Sequence, residues 1–240
     1  MNLKVEDNTV TLIGTLFIML LTVLLTLLSQ PLSNANATII QDVFNKDRSL
    51  DSTGKEYADD KYWWVSKGEM NIKNEQGFVD EDHFRAMIRH DFNKNDDYMV
   101  QVYFKYNDYF GNDPTDSVGF YFNHKDEANK YSVGIRADGY SEIKEKNDGQ
   151  YNDNQNTKRI FKDNGDGSNK IPDNTWIGLR IFVDQKSDSN NVRLFVDKGD
   201  GIWKFVTKWT DKGDLIEGGE VGLRIDGYDV SLRDFQVLEF

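Results

Sequence analysis

The chain has 240 residues, with 41 Asp and Glu against 29 Lys and Arg, a formal charge of -12, no cysteine, and 5 Trp, 11 Tyr and 15 Phe. This balance excludes a general nucleic-acid binder, which needs clustered Lys and Arg against phosphate. The missing cysteine excludes disulfides, thiolate metal sites and cysteine nucleophiles, and so many aromatics exclude a disordered chain.

In chain order the first signal is apolar. Residues 8–41 carry no charge, and residues 10–28 are almost continuously apolar, long enough to cross a hydrocarbon core as a helix. Pro31 and the small residues Ala35 and Ala37 fit a cleavage site that leaves Thr38 first. The length of the run and a weak n-region, where Lys4 is offset by Glu6 and Asp7, fit an uncleaved anchor. Both readings set the same boundary: residues 1–37 are a signal peptide or membrane anchor, and residues 38–240 are an exported domain, secreted or held at the cell surface. The membrane enters only through that segment. A domain of about 200 residues can bury enough surface to do without disulfides.

Beyond residue 80 the hydrophobic pattern has period two, which predicts strands. Phe84, Ala86 and Ile88 alternate with Arg85, Met87 and Arg89, and Tyr98, Val100, Val102 and Phe104 share one face. The same holds for Val118, Phe120 and Phe122, for Val133 and Ile135, and for Ile177, Leu179, Ile181 and Val183. Val192, Leu194 and Val196 follow, then residues 203–209, 221–225 and 230–240. Asp-Gly pairs at 138–139, 148–149, 166–167, 200–201 and 226–227 supply the positive φ of tight hairpin turns. No stretch past residue 40 keeps a helical period. About eleven strands without helices predict an all-β, two-sheet antiparallel sandwich, with residues 147–174 as a long polar loop.

Two segments carry a resemblance. Residues 218–237 contain Gly219-Glu220-Val221-Gly222-Leu223-Arg224 and then Asp234-Phe235-Gln236-Val237; the start of the domain has Phe44, then Trp63-Trp64-Val65 and Gly77-Phe78-Val79. Both resemble the concanavalin A-like lectin/glucanase jelly roll, in its LamG-like and 3-keto-disaccharide hydrolase-like branches. Residues 116–122 and 131–136 look like the central strands of that fold. The resemblance implies a jelly-roll sandwich with ligand on the concave sheet face. It does not fix an activity, because the fold hosts lectins, glycosidases, lyases and structural modules.

Retaining glucanases of this kind carry E-x-D-x-E on one strand, so that two carboxylates stand close on one face. Glu142 and Glu145 lack the central Asp and are out of phase, and the Gln-x-His strand of the lyase branch has no counterpart. Catalytic residues are therefore not assigned.

The outward positions of the strands are more informative. Trp176, Arg180 and Phe182 stand opposite the Ile177–Val183 stripe; Arg193, Arg224, Tyr103, Gln101, Tyr121 and Arg136 take the same kind of position on their own strands. Neighbouring strands of one sheet are expected to gather Tyr103, Tyr121, Arg136, Trp176, Arg180, Arg193 and Arg224 into a ligand surface. Aromatic faces and guanidinium forks suit a sugar, giving a glycan or polysaccharide partner, neutral or weakly acidic. The competing expectation is an outer face laced with cross-strand ion pairs.

His83, His90 and His124 are expected as scattered surface histidines rather than converging ligands. One of Trp63 and Trp64 belongs to the core. No cofactor is expected, although the resemblance admits a structural calcium; residues 163–168 come nearest to a loop for it, with Gly165 and Gly167 where side-chain ligands are needed. The reading is an exported lectin-like module, set against a carbohydrate hydrolase of the 3-keto-disaccharide type and a structural or adhesion domain.

Overall fold

The computed structural model describes residues 39–42, 44, 47–51, 63–88, 90, 92–111, 113–152, 156–161 and 171–240. The N-terminal apolar segment, the loop at 163–168 and the Asp166-Gly167 turn lie outside these residues. Every regular element among them is a strand. The first half of the chain gives β1 (Ile39–Asp42), β2 (Arg48–Asp51), β3 (Trp63–Lys67), β4 (Glu69–Lys73), β5 (Gln76–Asp80), β6 (His83–Ile88), β7 (Tyr98–Tyr109) and β8 (Ser117–His124). The second half gives β9 (Lys130–Arg136), β10 (Tyr140–Asn147), β11 (Gln150–Tyr151), β12 (Asn156–Arg159), β13 (Trp176–Lys186), β14 (Ser189–Asp197), β15 (Lys204–Asp211), β16 (Glu220–Asp226) and β17 (Tyr228–Glu239).

These strands form two sheets. One runs β15-β14-β13-β7-β17-β5-β4-β2, with β1 also on β17; the other runs β11-β10-β9-β8-β16-β6-β3, with β12 also on β10. They are called here the β7 sheet and the β8 sheet. The expected sandwich is present, with β2, β4, β10, β11 and β12 added to the strands read from the sequence. β2, β4, β11 and β12 are short and offer at most two apolar residues each, and β10 alternates mostly polar residues around Ile143, too few apolar positions for a period-two signal. β11 and β12 occupy part of the 147–174 tract expected as loop.

Alternation builds the core. Ile177, Leu179, Ile181 and Val183 of β13 are buried to 0% exposure, as are Val118, Phe120 and Phe122 of β8. Trp63 of β3 packs its ring 4.8 Å from Phe235 of β17, and Phe235 lies 6.3 Å from Phe120, which ties the sheets together. Strict alternation after Val230 and Leu232 would turn Phe235 outward. A bulge between Arg233 and Gln236, with Asp234 at φ 54, resets the phase.

The turns follow their residue chemistry. Asp148 and Gly149 both have positive φ (47 and 79) and join β10 to β11 as a tight hairpin. Asp138-Gly139 and Asp200-Gly201 also connect paired strands. Asp226-Gly227 differs: it carries the chain from β16 to β17, from one sheet to the other, so it is a corner and not a hairpin.

One end of the sandwich is closed by a buried polar network. The Tyr98 hydroxyl donates to Asn123 Oδ1 (2.5 Å), Asn123 Nδ2 donates to Ile216 O (2.8 Å), and the Tyr131 hydroxyl donates to Asp211 Oδ2 (2.6 Å). Each buried donor has a partner, as an uncharged interior requires.

Candidate functional site

The seven candidate residues do not share one surface. Tyr103, Trp176, Arg180 and Arg193 lie on strands of the β7 sheet; Tyr121, Arg136 and Arg224 lie on β8, β9 and β16 of the β8 sheet. The expectation of a single face is corrected on this point. Alternation shows which side of its own strand a residue takes, but not which sheet the strand joins.

On the β7 sheet, Arg180 pairs in register with Gln101, and Gly178 with Tyr103. Gly178 leaves space that Trp203 fills: a Cβ there would stand 2.6 Å from Trp203 Cη2 and 2.9 Å from Tyr103 Cε1. The Arg180 guanidinium lies 4.0 Å over the Trp203 ring and hydrogen-bonds Gln101 Oε1, while Arg233 lies 4.2 Å over Trp176. Arg193 pairs with Asp184 at 3.1 Å. Trp203 and Arg233 complete this group without having been singled out in the sequence. The guanidinium groups already cover ring faces on which a sugar would stack, while Arg193 Nε and Arg233 Nε are buried without a hydrogen-bond partner among the described residues.

The β8 sheet is built differently. One cross-strand row reads Arg85, Arg224, Gly119, Gly134, Glu142 across β6, β16, β8, β9 and β10. The next reads Trp64, Met87, Gly222, Tyr121, Ser132, Lys144. Gly119 and Gly134 leave a trench two strands wide. A Cβ on Gly119 would collide with the Val133 carbonyl. Three strand spacings, about 14 Å, separate the backbones of Arg224 and Glu142, yet Arg224 Nη1 reaches Glu142 Oε1 at 3.2 Å by lying across the glycine floor.

Two buried carboxylates anchor the network. Asp226 Oδ1 accepts from Arg85 Nη2 at 2.6 Å and lies 2.8 Å from the His83 ring Nδ1, and Oδ2 makes an ion pair with Arg224 Nε at 2.7 Å. Glu142, at 0% exposure, has Lys144 Nζ at 2.7 Å besides Arg224, and Arg136 Nη1 at 4.0 Å. Burial alone would raise the Asp226 pKa, but the charges of Arg224 and Arg85 outweigh it and hold the carboxyl below its usual range. Burial opposes the charge on Arg224 too, and Asp226 is the largest of the influences that keep it protonated. On the same face Arg85 Nη1, Arg136 Nε and Ser117 Oγ are buried without a hydrogen-bond partner among the described residues. Such donors cost about 1–3 kcal/mol each when unmet.

Trp63 is the core tryptophan. Trp64, on the outward face, donates its indole N–H to Glu220 Oε1 at 2.9 Å. His83 joins the network and His90 sits against Phe92 with ring centroids 4.6 Å apart. His124 corrects the surface expectation: it is 4% exposed, and neither ring nitrogen has a hydrogen-bond partner among the described residues. Asn123, at φ 45, breaks the alternation just before it and turns it under Tyr121.

Burial, and then the Lys130 charge, lower the His124 pKa; Glu127 and Asp126 oppose them weakly. Because the folded value is depressed, the unfolded chain takes up the proton first. The stability from neutral His124 is complete above about pH 6.5 and declines as pH falls below it. Urea midpoints measured from pH 7.5 to 5 are expected to drop, and His124→Phe to flatten that drop; equal slopes would contradict this.

Among the described residues no group of three or more His, Asp or Glu is placed to hold a metal ion. Asp197 Oδ1 closes the turn after β14 by accepting the backbone N–H groups of Gly199 (2.9 Å), Asp200 (3.1 Å) and Gly201 (3.0 Å).

Sheet order and register define the fold as a concanavalin A-like jelly-roll sandwich. Compared by sequence, the chain matches no protein-family model and no curated protein. Compared by structure, it is similar to the carbohydrate-binding module CBM66 from Bacillus subtilis, with a TM-score of 0.53 and 14% identity over 74% of this chain and 95% of that one. It is also similar to the VIP36 exoplasmic/lumenal domain in its Ca2+/Man3GlcNAc-bound form (TM-score 0.53, 11% identity, 82% of this chain and 89% of that one). A third is winged bean acidic lectin complexed with methyl-alpha-D-galactose (TM-score 0.53, 12% identity, 81% and 98%). At these identities the likeness is one of fold.

Proposed function

We propose that the protein is a carbohydrate-binding β-sandwich module, exported by means of its N-terminal apolar segment, which takes glycan on the outward face of the β8 sheet. The observation that carries this reading is the convergence of Arg85, Arg136, Arg224 and Lys144 with Glu142 and Asp226 over the Gly119–Gly134 floor. Sugar hydroxyls both donate and accept, and this face offers guanidinium forks beside carboxylates, with Tyr121 and Trp64 as flanking rings. With Asp138, which pairs with Arg136 at 2.5 Å, and Glu220, which accepts from Trp64, cations and carboxylates on the face nearly cancel. That local balance, in a chain of net charge -12, suits a neutral or weakly acidic sugar and disfavours a polyanion. The three solved structures of similar fold are a carbohydrate-binding module and two proteins held with sugar, which supports the reading.

Arg180 and Arg224 stand on opposite sheets, so a pair of variants separates the faces. In a glycan array followed by affinity electrophoresis, Arg180→Ala is expected to bind as the wild type does. Arg224→Ala, and the milder Arg136→Gln, are expected to bind at least about tenfold more weakly, the loss of one or more charge-assisted contacts. Unchanged binding by all of them removes the face from the proposal, and loss in Arg180→Ala alone moves the site to the β7 sheet. Export is checked by the location and intact mass of the protein in its source cells.

One observation favours a second reading. His83 is only half-buried and its Nδ1 lies 2.8 Å from Asp226, an imidazole oriented by a carboxylate as a general base requires. A hydrolase of the 3-keto-disaccharide type would release reducing sugar from such substrates and lose that activity in His83→Asn.

A further inference from the structure

At the end of the sandwich away from the Tyr98–Asn123 network lies a cavity of about 330 Å³, lined in part by Tyr106, Tyr109 and Tyr228, by Asp108 and Asp173, and by Ile171. We infer that this cavity binds an organic ammonium group. The three rings form one cluster: Tyr106 and Tyr228 have centroids 4.5 Å apart at 70°, and Tyr109 and Tyr228 are 4.7 Å apart at 37°. The rings pack on one another and together make an aromatic wall of the cavity, and an aromatic wall attracts a cation carrying carbon substituents.

The charges agree with the rings. Two carboxylates line the cavity and no Lys or Arg is among its described lining residues. Behind Tyr109, whose hydroxyl donates to Asp113 O at 2.7 Å and lies 3.3 Å from Asp116 Oδ2, stand two further acids. The surroundings therefore disfavour anions. Two carboxylates among tyrosine and isoleucine side chains do not make the oxygen shell that a bare metal cation needs. Tyr228, 5% exposed, lines the cavity with its ring packed against those of Tyr106 and Tyr109.

The test titrates the full-length protein with choline and with its uncharged isostere 3,3-dimethyl-1-butanol, followed by calorimetry at constant ionic strength. Choline is expected to bind at least about tenfold more tightly than the alcohol, the difference being the cation's attraction to rings and carboxylates. Asp108 and Asp173 are exposed at the rim, so Asp108→Asn and Asp173→Asn leave the fold intact; each is expected to weaken choline roughly two- to fivefold. Tyr109→Ala is expected to weaken it more, roughly two- to thirtyfold. Arg136→Gln, on the glycan face, is expected to leave choline binding unchanged, so failure of either proposal is seen separately. Equal binding of choline and the alcohol, no binding of either, or indifference to both aspartate variants overturns the assignment.

Discussion

Arg224→Ala is expected to destabilise the protein by about 3–5 kcal/mol, the usual result of removing one partner from a buried ion-pair network. Its guanidinium is the common partner of Asp226 (Nε–Oδ2 2.7 Å) and Glu142 (Nη1–Oε1 3.2 Å), and both carboxylates are closed off from water. Without it Asp226 keeps Arg85 and Glu142 keeps Lys144, but Asp226 loses the charge beside it on its own strand and Glu142 its closest cross-strand charge. The effect also has a pH signature. The depressed Asp226 pKa means that its contribution to stability is present above about pH 4 and is lost as pH falls through the lower, folded value. In Arg224→Ala that contribution shrinks at neutral pH, so the acid-induced loss of stability between pH 5 and 2 should be smaller than in the wild type. Urea denaturation at several pH values measures both. A surface pair supplies the control: Lys204–Asp200 joins two side chains about half exposed, and Lys204→Ala is expected to change stability by no more than about 1 kcal/mol. A similarly small loss in Arg224→Ala would show the network to be ornamental to the fold.

Phe235→Ala is expected to cost about 3–5 kcal/mol through the cavity it leaves between the sheets. Phe235 is 0% exposed and touches Trp63 of the β8 sheet at 4.8 Å and Phe120 at 6.3 Å. For a domain of this size that loss corresponds to a fall in Tm of roughly 6–20 °C, read by calorimetry. The bulge at Asp234 exists to aim this ring inward, so Asp234→Val, which disfavours φ 54, should lower Tm in the same direction. A shift of less than about 2 °C in Phe235→Ala would contradict the packing described.

The β-sandwich was legible because its core strands alternate so plainly, as in Ile177 to Val183, and because Asp-Gly turns mark the hairpins. What alternation could not say is how strands are dealt between two sheets, which is why Tyr121, Arg136 and Arg224 parted from Tyr103, Trp176, Arg180 and Arg193. Glu142 stood in the sequence as half of a failed glucanase pattern. Its partner Arg224 is 82 residues away and two intervening strands apart, so no local motif joins them. A signal was nonetheless present: Val118-Gly119-Phe120, Val133-Gly134-Ile135 and Val221-Gly222-Leu223 each set a glycine at the outward position between two core residues. Three such triplets on adjoining strands mark a face from which side chains have been cleared. His124 was hidden for a different reason: the positive φ of Asn123 shifts it to the outward side, where Tyr121 packs against it, and no strand pattern announces burial there.

Backbone amide shift mapping by NMR, with a sugar drawn from the array titrated into labelled protein, tests the central claim most directly. Perturbations centred on Gly119, Tyr121, Gly134, Glu142 and Arg224 are the predicted result. Perturbations centred on Tyr103, Gly178 and Arg180, with the β8 sheet silent, would contradict it.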